Sequence, residues 1–237
     1  SLGGPGWTVT LDETRYGMSM LAVYGINSYV LHLFHYTIDS QLAQDDYPST
    51  WFYQNPFWKY FRTLADYARR LSWLGSQGEH VSGVAVLYPV EDIWSRVLGK
   101  SYPAHPVTAL TAHLVATHRD YDMVDTDSVT AATPRIGTED YRVVVLPGVK
   151  TVSLAMYRRL AERAQAGLKV VALGTAPCNS AENGADDPEI LKISARIPVV
   201  KDLDALSAWL DQNVPADITL TGADAPALRH LHRRAEG

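Results

Sequence analysis

Three uninterrupted apolar runs constrain this chain most: VAVLYP at Val84 to Pro89, VVVLP inside Tyr141 to Gly148, and VVAL inside Leu168 to Gly174. None alternates between apolar and polar residues. Each therefore reads as a strand covered on both faces, which is the condition of a parallel sheet between two layers of helices. The intervening segments supply those layers. Leu110, Leu114 and Val115 mark the inward face of one helix, and Leu154 to Ala166 forms another, ended by Gly167. Tyr121 to Asp125 reads as a short second strand and Pro198 to Lys201 as a fifth, with a helix from Asp202 to Leu210.

This alternation predicts a doubly wound α/β domain over residues 81–215, with right-handed crossovers and a flavodoxin-like or class I glutamine amidotransferase-like sheet. Its strand ends carry neither G-x-G-x-x-G nor G-x-x-x-x-G-K-[ST], and no cofactor is expected. Cys178, the single cysteine, follows Pro177 and has only His230 and His232 after it, which is poor ground for a nucleophile. One cysteine also excludes an internal disulfide and any cysteine-based metal cluster. His113 and His118 read as five apart on one helix, off the spacing of a helical metal pair, and Glu182 to Glu189 reads as a solvated acidic loop. No metal site is expected.

Residues 1–80 have a different texture. Thr10-Leu11-Asp12-Glu13 fits a capping box opening a helix, with Gly25 as its C′ residue, so Glu13 is explained without a catalytic role. Ser28 to Phe34 then reads as a strand buried on both faces, ending in His35, Tyr36 and Asp39. Carboxyl ends of parallel strands are where ligands sit, so His35 and Tyr36 become candidate site residues. A long loop, residues 37–57, carries Tyr47, Trp51, Phe52, Tyr53 and Phe57. Loops of this length are uncommon without a function, and its rings could stack on sugars or pack as an Ω-like lid. A helix over Pro56 to Leu74 closes the segment, its apolar face set by Phe61, Leu64, Ala68, Leu71 and Leu74. Helix, strand, aromatic loop and helix suit the last units of a (β/α)8 barrel, yet a whole barrel needs on the order of 200 residues.

Composition narrows the partners. A net charge of −5 leaves no basic footprint for nucleic acid. No run approaches the ~20 apolar residues of a membrane span, and Ser1-Leu2-Gly3-Gly4 has no signal-peptide character. Cytoplasmic and secreted locations are not distinguished.

Together GGPGW (Gly3 to Trp7), GINSYVLHLFHYT (Gly25 to Thr37), WFYQNPFW (Trp51 to Trp58), DYARRLSWLGSQG (Asp66 to Gly78), VAVLYP, YDMVD, YRVVVLPG and LRHLHRR resemble the middle of large glycoside hydrolases with a clan-A-type (β/α)8 barrel. The resemblance is to the family 106 α-L-rhamnosidase group, and more loosely to family 42 β-galactosidases. It implies that residues 1–80 are the C-terminal fragment of a barrel, 81–215 an amidotransferase-like domain, and 216–237 a linker or the start of a further domain. It further implies a carbohydrate substrate for the parent protein, both catalytic glutamates upstream of Ser1, and His35, Tyr36, Trp51 and Trp7 as substrate-binding residues. Whether the parent retains or inverts stays open, as does the alternative of a non-catalytic structural, oligomerising or small-molecule-binding domain. Exposed apolar surface in residues 1–80 is expected to drive packing onto the second domain or self-association into a homo-oligomer.

Overall fold

Strands β1 (Val84–Leu87), β2 (Asp122–Val124), β3 (Val143–Pro147), β4 (Lys169–Leu173) and β5 (Val199–Val200) form one parallel sheet in the order β2-β1-β3-β4-β5. The register pairs Val84 with Val143 and Val143 with Lys169. Successive side chains leave opposite faces of a strand, and both sets are buried here. Ala85, Leu87, Val144, Leu146, Val170 and Ala172 meet helices α5 (Thr126–Thr130), α6 (Leu154–Gln165) and α7 (Pro188–Ser194) through Val129, Met156, Tyr157, Leu160 and Ile190. Val84, Val86, Val143, Val145, Val171 and Leu173 meet α4 (Pro106–Ala116) and α8 (Leu203–Asn213) through Val107, Leu110, Leu114, Leu206 and Leu210. At about 1.5–3 kcal/mol for each fully buried aliphatic side chain, these two layers dominate the stability of the sheet.

The structure, a computed structural model, describes residues 6–41, 50–96, 105–137, 139–216, 218–222 and 227–235. Tyr47 and Gly3 to Pro5 lie outside them. Chain contacts divide it into two units, His80–His232 and Ser1–Glu79 with Arg233–Gly237.

Two polar networks fix the edges of the sheet in the second unit. Beyond the carboxyl end of β1, in helix α3 (Val90–Arg96), Asp92 is wholly buried. Its Oδ1 accepts from the backbone N–H groups of Lys150 and Thr151, both at 2.8 Å. Its Oδ2 faces Arg96 Nε at 2.6 Å and His105 Nε2 at 3.1 Å. Burial pulls the His105 imidazole below its ordinary pKa despite Asp92. The Nδ1 of His105 accepts from Val107 N at the start of α4, so a neutral ring donating through Nε2 satisfies both partners. At the opposite edge His80 is clamped by two carboxylates, Nε2 to Asp120 at 2.8 Å and Nδ1 to Asp122 at 3.0 Å. Tyr141 donates to Asp122 at 3.0 Å. The paired carboxylates push His80 up to about 10.

Several sequence expectations are corrected. His118 is not helical: α4 ends at Ala116, and His118 sits at φ 56 beyond the cap. The acidic stretch does not simply face water. Asp187 caps α7 through the N–H groups of Glu189 and Ile190, while Glu182 accepts from Leu154 N at the start of α6. Helix N-termini leave such donors orphaned, which draws the carboxylates in.

In the first unit α1 (Leu11–Val23) and α2 (Phe61–Ser76, after a 3-10 turn at Trp58–Tyr60) enclose a small core of Val9, Met18, Trp51 and Leu64. The capping box is present: Glu13 N donates to Thr10 Oγ1 at 3.1 Å, and Thr10 N donates to Glu13 at 2.8 Å. Arg233 donates to the carbonyls of Gln77 and Gly78 at the end of α2. Gly78 must stay a glycine there, since at φ 59 an added Cβ would stand 2.0 Å from Arg234 O.

The largest correction concerns Ser28 to Phe34. No strand forms there, and the segment is not covered on both faces. A strand is a non-local structure whose N–H and C=O groups need a neighbouring ladder, and among the described residues none runs beside it. Instead the following loop meets it, Trp51 N donating to Leu33 O at 2.9 Å and, just past the segment, His35 N donating to Thr50 Oγ1 at 3.1 Å. Burial nevertheless alternates: Tyr29, Leu31, Leu33 and His35 are half-buried, whereas Val30, His32, Phe34 and Tyr36 are exposed. Tyr29 and Leu31 pack on the core between the helices, and Tyr29 donates to Met18 O at 3.0 Å.

Two stability predictions follow from the networks. Since the His80 pKa lies above its unfolded value, its contribution is complete below about pH 6.5 and declines as pH rises towards 10. Urea midpoints of the chain should therefore fall from pH 6 to pH 10, and His80→Ala should lower the pH 6 stability by about 3 kcal/mol and flatten that fall. Asp92→Ala should cost about 3–5 kcal/mol in the same unfolding measurement, because it strands Arg96, the buried Thr151 N–H and the Lys150 N–H.

Candidate functional site

The four sequence candidates fall in the first unit. Loop 50–58 folds back on residues 33–36, and three short polar side chains fix the fold. Thr50, fully buried, accepts from His35 N and Phe52 N, both at 3.1 Å. Asn55 donates to Thr50 O at 3.0 Å and accepts from Phe57 N at 2.8 Å. Gln54 Nε2 donates to His35 O at 3.0 Å and Tyr36 O at 3.4 Å, while its Oε1 is buried without a hydrogen-bond partner. These are the Asx-type and side-chain-to-backbone bonds by which a loop without ladder partners satisfies its peptide groups.

His35 and Tyr36 are thus held by their backbones. Tyr36 projects with 93% of its surface exposed, while His35 is half-buried. Trp51 turns inward, is 5% exposed, and belongs to the core beside Leu64. Trp7 lies in the 3-10 turn Gly6–Thr8 ahead of α1, half open to solvent. The structure brings His35, Tyr36 and Trp51 together through one loop, with Trp51 as a buried support.

Sequence reasoning missed how the remaining rings gather. Phe52 is a hub, with centroids 5.8 Å from Phe34, 4.9 Å from Tyr53 and 5.2 Å from Trp58, all edge-to-face. Phe61 backs the group, stacked on Trp58 at 5.1 Å and edge-on to Phe34 at 5.9 Å. The density of aromatics in WFYQNPFW was the available signal, but their mutual packing depends on Asn55 and Thr50 closing the turn.

Carboxylates of this unit are largely committed. Glu13 is held down in pKa chiefly by its bond from the Thr10 backbone. Asp12 pairs with Arg15 at 3.2 Å and Asp66 with Arg69 at 3.3 Å. Asp39 is exposed, its N–H donating to Thr37 Oγ1 at 3.1 Å. Glycoside hydrolysis needs two carboxyl groups facing one bond, one of them free to hold or release a proton. Capping and ion pairing remove Asp12, Glu13 and Asp66 from that duty.

In the second unit, the carboxyl edge of the sheet is where a ligand of a doubly wound fold would bind. Asp92, Arg96 and His105 satisfy one another there and hold the β3 exit. A hollow of about 850 Å³ between α6 and α7 is lined by Leu160, Ala161, Ile193 and Ile197, and its rim charges Arg158 and Glu189 pair with each other at 2.6 Å. Among the described residues no cluster of three or more His, Cys, Asp or Glu could hold a metal, and no helix is long and apolar enough to cross a membrane.

Comparison with known proteins then adds what geometry alone does not. No curated protein matches the chain significantly. Among solved structures, a GH42 beta-galactosidase from G. stearothermophilus, Gan42B, superposes with a TM-score of 0.53 at 15% identity, over 74% of this chain and 25% of that one. A catalytic mutant of the same enzyme gives 0.53 and 15% over 73% and 25%. The chain thus spans about a quarter of the length of those neighbours, and at this identity the likeness concerns fold: mixed α/β with a mostly parallel central sheet. The family model of the glycoside hydrolase 106 group, described as alpha-L-rhamnosidase, matches residues 4–236. With nearly its whole length matched, the chain belongs to glycoside hydrolase family 106.

Proposed function

We propose that this chain is the portion of an α-L-rhamnoside hydrolase comprising the C-terminal end of the (β/α)8 barrel and the amidotransferase-like domain that follows. The observation that carries the reading is the period-2 burial of Tyr29 to Tyr36. In a (β/α)8 barrel each strand turns one face to the outer helices and the other to the interior. Residues 29, 31 and 33 turn towards the body of the unit, and the first two pack between α1 and α2. Residues 30, 32, 34 and 36 stay bare, Val30 at 92% exposure. That is the burial expected of a barrel strand whose flanking strands and lumen side chains come from elsewhere.

Three further points support the same reading. The committed state of Asp12, Glu13 and Asp66 fits an arrangement in which both catalytic glutamates are contributed from upstream of this chain. His35 and Tyr36 then stand at the carboxyl end of that strand, where barrel enzymes bind substrate, with Trp7 as a neighbouring wall. For the second unit, the order β2-β1-β3-β4-β5, which is 2-1-3-4-5 in the chain order of the sheet, favours a flavodoxin-like assignment, with the amidotransferase-like domain as its version here. Its self-satisfied Asp92 cluster and its lack of an elbow at Cys178 favour a structural or oligomerising duty for that domain over a second reaction.

A protein extended upstream to a whole barrel should hydrolyse p-nitrophenyl α-L-rhamnopyranoside, whereas the 237-residue chain should not. Replacing either of the proposed upstream catalytic glutamates by glutamine should lower kcat by roughly 10³-fold or more. Hydrolysis by the 237-residue chain itself, or silence of the extended protein across a panel of aryl glycosides, would defeat the reading. In the extended protein, His35→Ala and Tyr36→Ala should each lower kcat/KM by about tenfold, the loss of one good substrate contact.

A further inference from the structure

Two of the helices on one face of the sheet differ in length. α6 has 12 residues and α7 has 7. At about 1.5 Å per residue they reach about 18 Å and about 10 Å. Where the shorter helix gives out, a hollow opens between them. Leu160 and Val170, both in the core, form its floor, and the half-buried Ile193 and Ile197 form its α7 side. The hollow lies wholly within the second unit. Its volume of about 850 Å³ falls in the range of about 300–1,000 Å³ typical of small-molecule sites.

The charges around it are not balanced. Both acids on the rim are committed, Glu189 to Arg158 Nε at 2.6 Å and Glu162 to Arg159 at 2.9 Å. Lys192 and Arg196 stand four positions apart on and just past α7, and both are exposed. Among the described residues neither side chain makes an ion pair or a hydrogen bond. The Lys192 charge favours ionised Glu189, though less than the bond from Arg158 does. Basic residues near a helix C-terminus also answer the macrodipole, but each helix end carries only about half a charge. Two full charges set against the ends of α6 and α7 leave a surplus of about one positive charge. An apolar floor below a surplus cation suits a ligand with an apolar body and one anionic head.

We propose that this hollow binds a free amphiphilic monocarboxylate, its body on Leu160, Val170 and Ile193 and its head at Lys192 and Arg196. Seating the body removes apolar surface from water, while the planar fork of Arg196 matches a carboxylate with two parallel bonds. A floor sunk between two helices is out of reach of chains anchored in a bilayer, so the ligand is a free molecule. The inference concerns the second unit and stands independently of the hydrolase reading.

The test is NMR titration of the isotope-labelled 237-residue chain with decanoate below its micelle concentration, against decan-1-ol as the uncharged match. The amide signals of Ala161, Ala164 and Ile193 should shift saturably with decanoate. Decanol should bind about tenfold more weakly for want of the charged contact. Lys192→Gln combined with Arg196→Gln should bring decanoate down to the level of decanol. Both residues are exposed, so the unfolding midpoint should not move. Ala164→Trp, at an exposed position on the rim, should block both ligands, and it keeps the test decisive if the double variant is destabilised. Shifts confined to the first unit, equal binding of decanoate and decanol, or full decanoate binding by either variant overturns the proposal. The upstream-extended protein should bind decanoate as this chain does, and its failure to do so overturns the proposal too. Its rhamnosidase activity is read separately and bears on the hydrolase reading alone.

Discussion

A parallel sheet is stable only when both of its faces are dry, and the second unit is organised around meeting that requirement. β3 is the test of it. Val143, Val144, Val145 and Leu146 have no solvent exposure, and they alternate between two separate cores. Every helix of the unit long enough to present an apolar stripe is drawn to one of those cores. The order of the strands then decides where polar groups can stand. The chain leaves β1 for one edge and returns to β3 on the other side, so the carboxyl ends of β1 and β3 open a crevice between them. Asp92 lies in the element that follows β1 and grips the backbone that follows β3. A crevice elsewhere used for ligands here holds a fastening between two strand exits.

The first unit shows the same constraint left unmet. Ser28 to Phe34 has the composition of a buried strand, and its side chains already sort by period two, but among the described residues no strand pairs with it, and Leu33 O is met by Trp51 N from the following loop. Side-chain alternation is local in origin, since it follows from an extended backbone. Ladder formation is not local and cannot be supplied by the segment itself. The two observations together separate what a sequence can dictate from what only neighbouring chain can add.

That distinction explains how much was legible beforehand. The strands at Val84, Val143 and Lys169 were readable because unbroken β-branched runs have few other uses. The capping box at Thr10 was readable because its four residues are contiguous. Helix α7 was hidden behind the acidic letters of ENGADDPE, where Asp187 looks solvent-seeking but is a cap three residues from a buried Ile190. The role of Arg233 was hidden by distance, since its partners Gln77 and Gly78 lie some 155 positions earlier. At the candidate site, His35 and Tyr36 are singled out by their place after an apolar run. The resemblance implied Trp51 as a substrate-binding residue, whereas packing puts its side chain in the core beside Leu64.

The contrast between Trp51 and its neighbours carries the functional argument furthest. Hydrophobicity alone would send Phe34, Tyr53 and Trp58 the same way as Trp51. They stay out because Thr50 and Asn55 satisfy the turn in a geometry that turns alternate side chains outward, and because Phe52 and Phe61 already fill the space beneath them. Replacing Asn55 by alanine would remove both of its turn bonds while touching no ring. If Tyr53 and Trp58 then collapsed onto the body, exposure would be a property of the mounting.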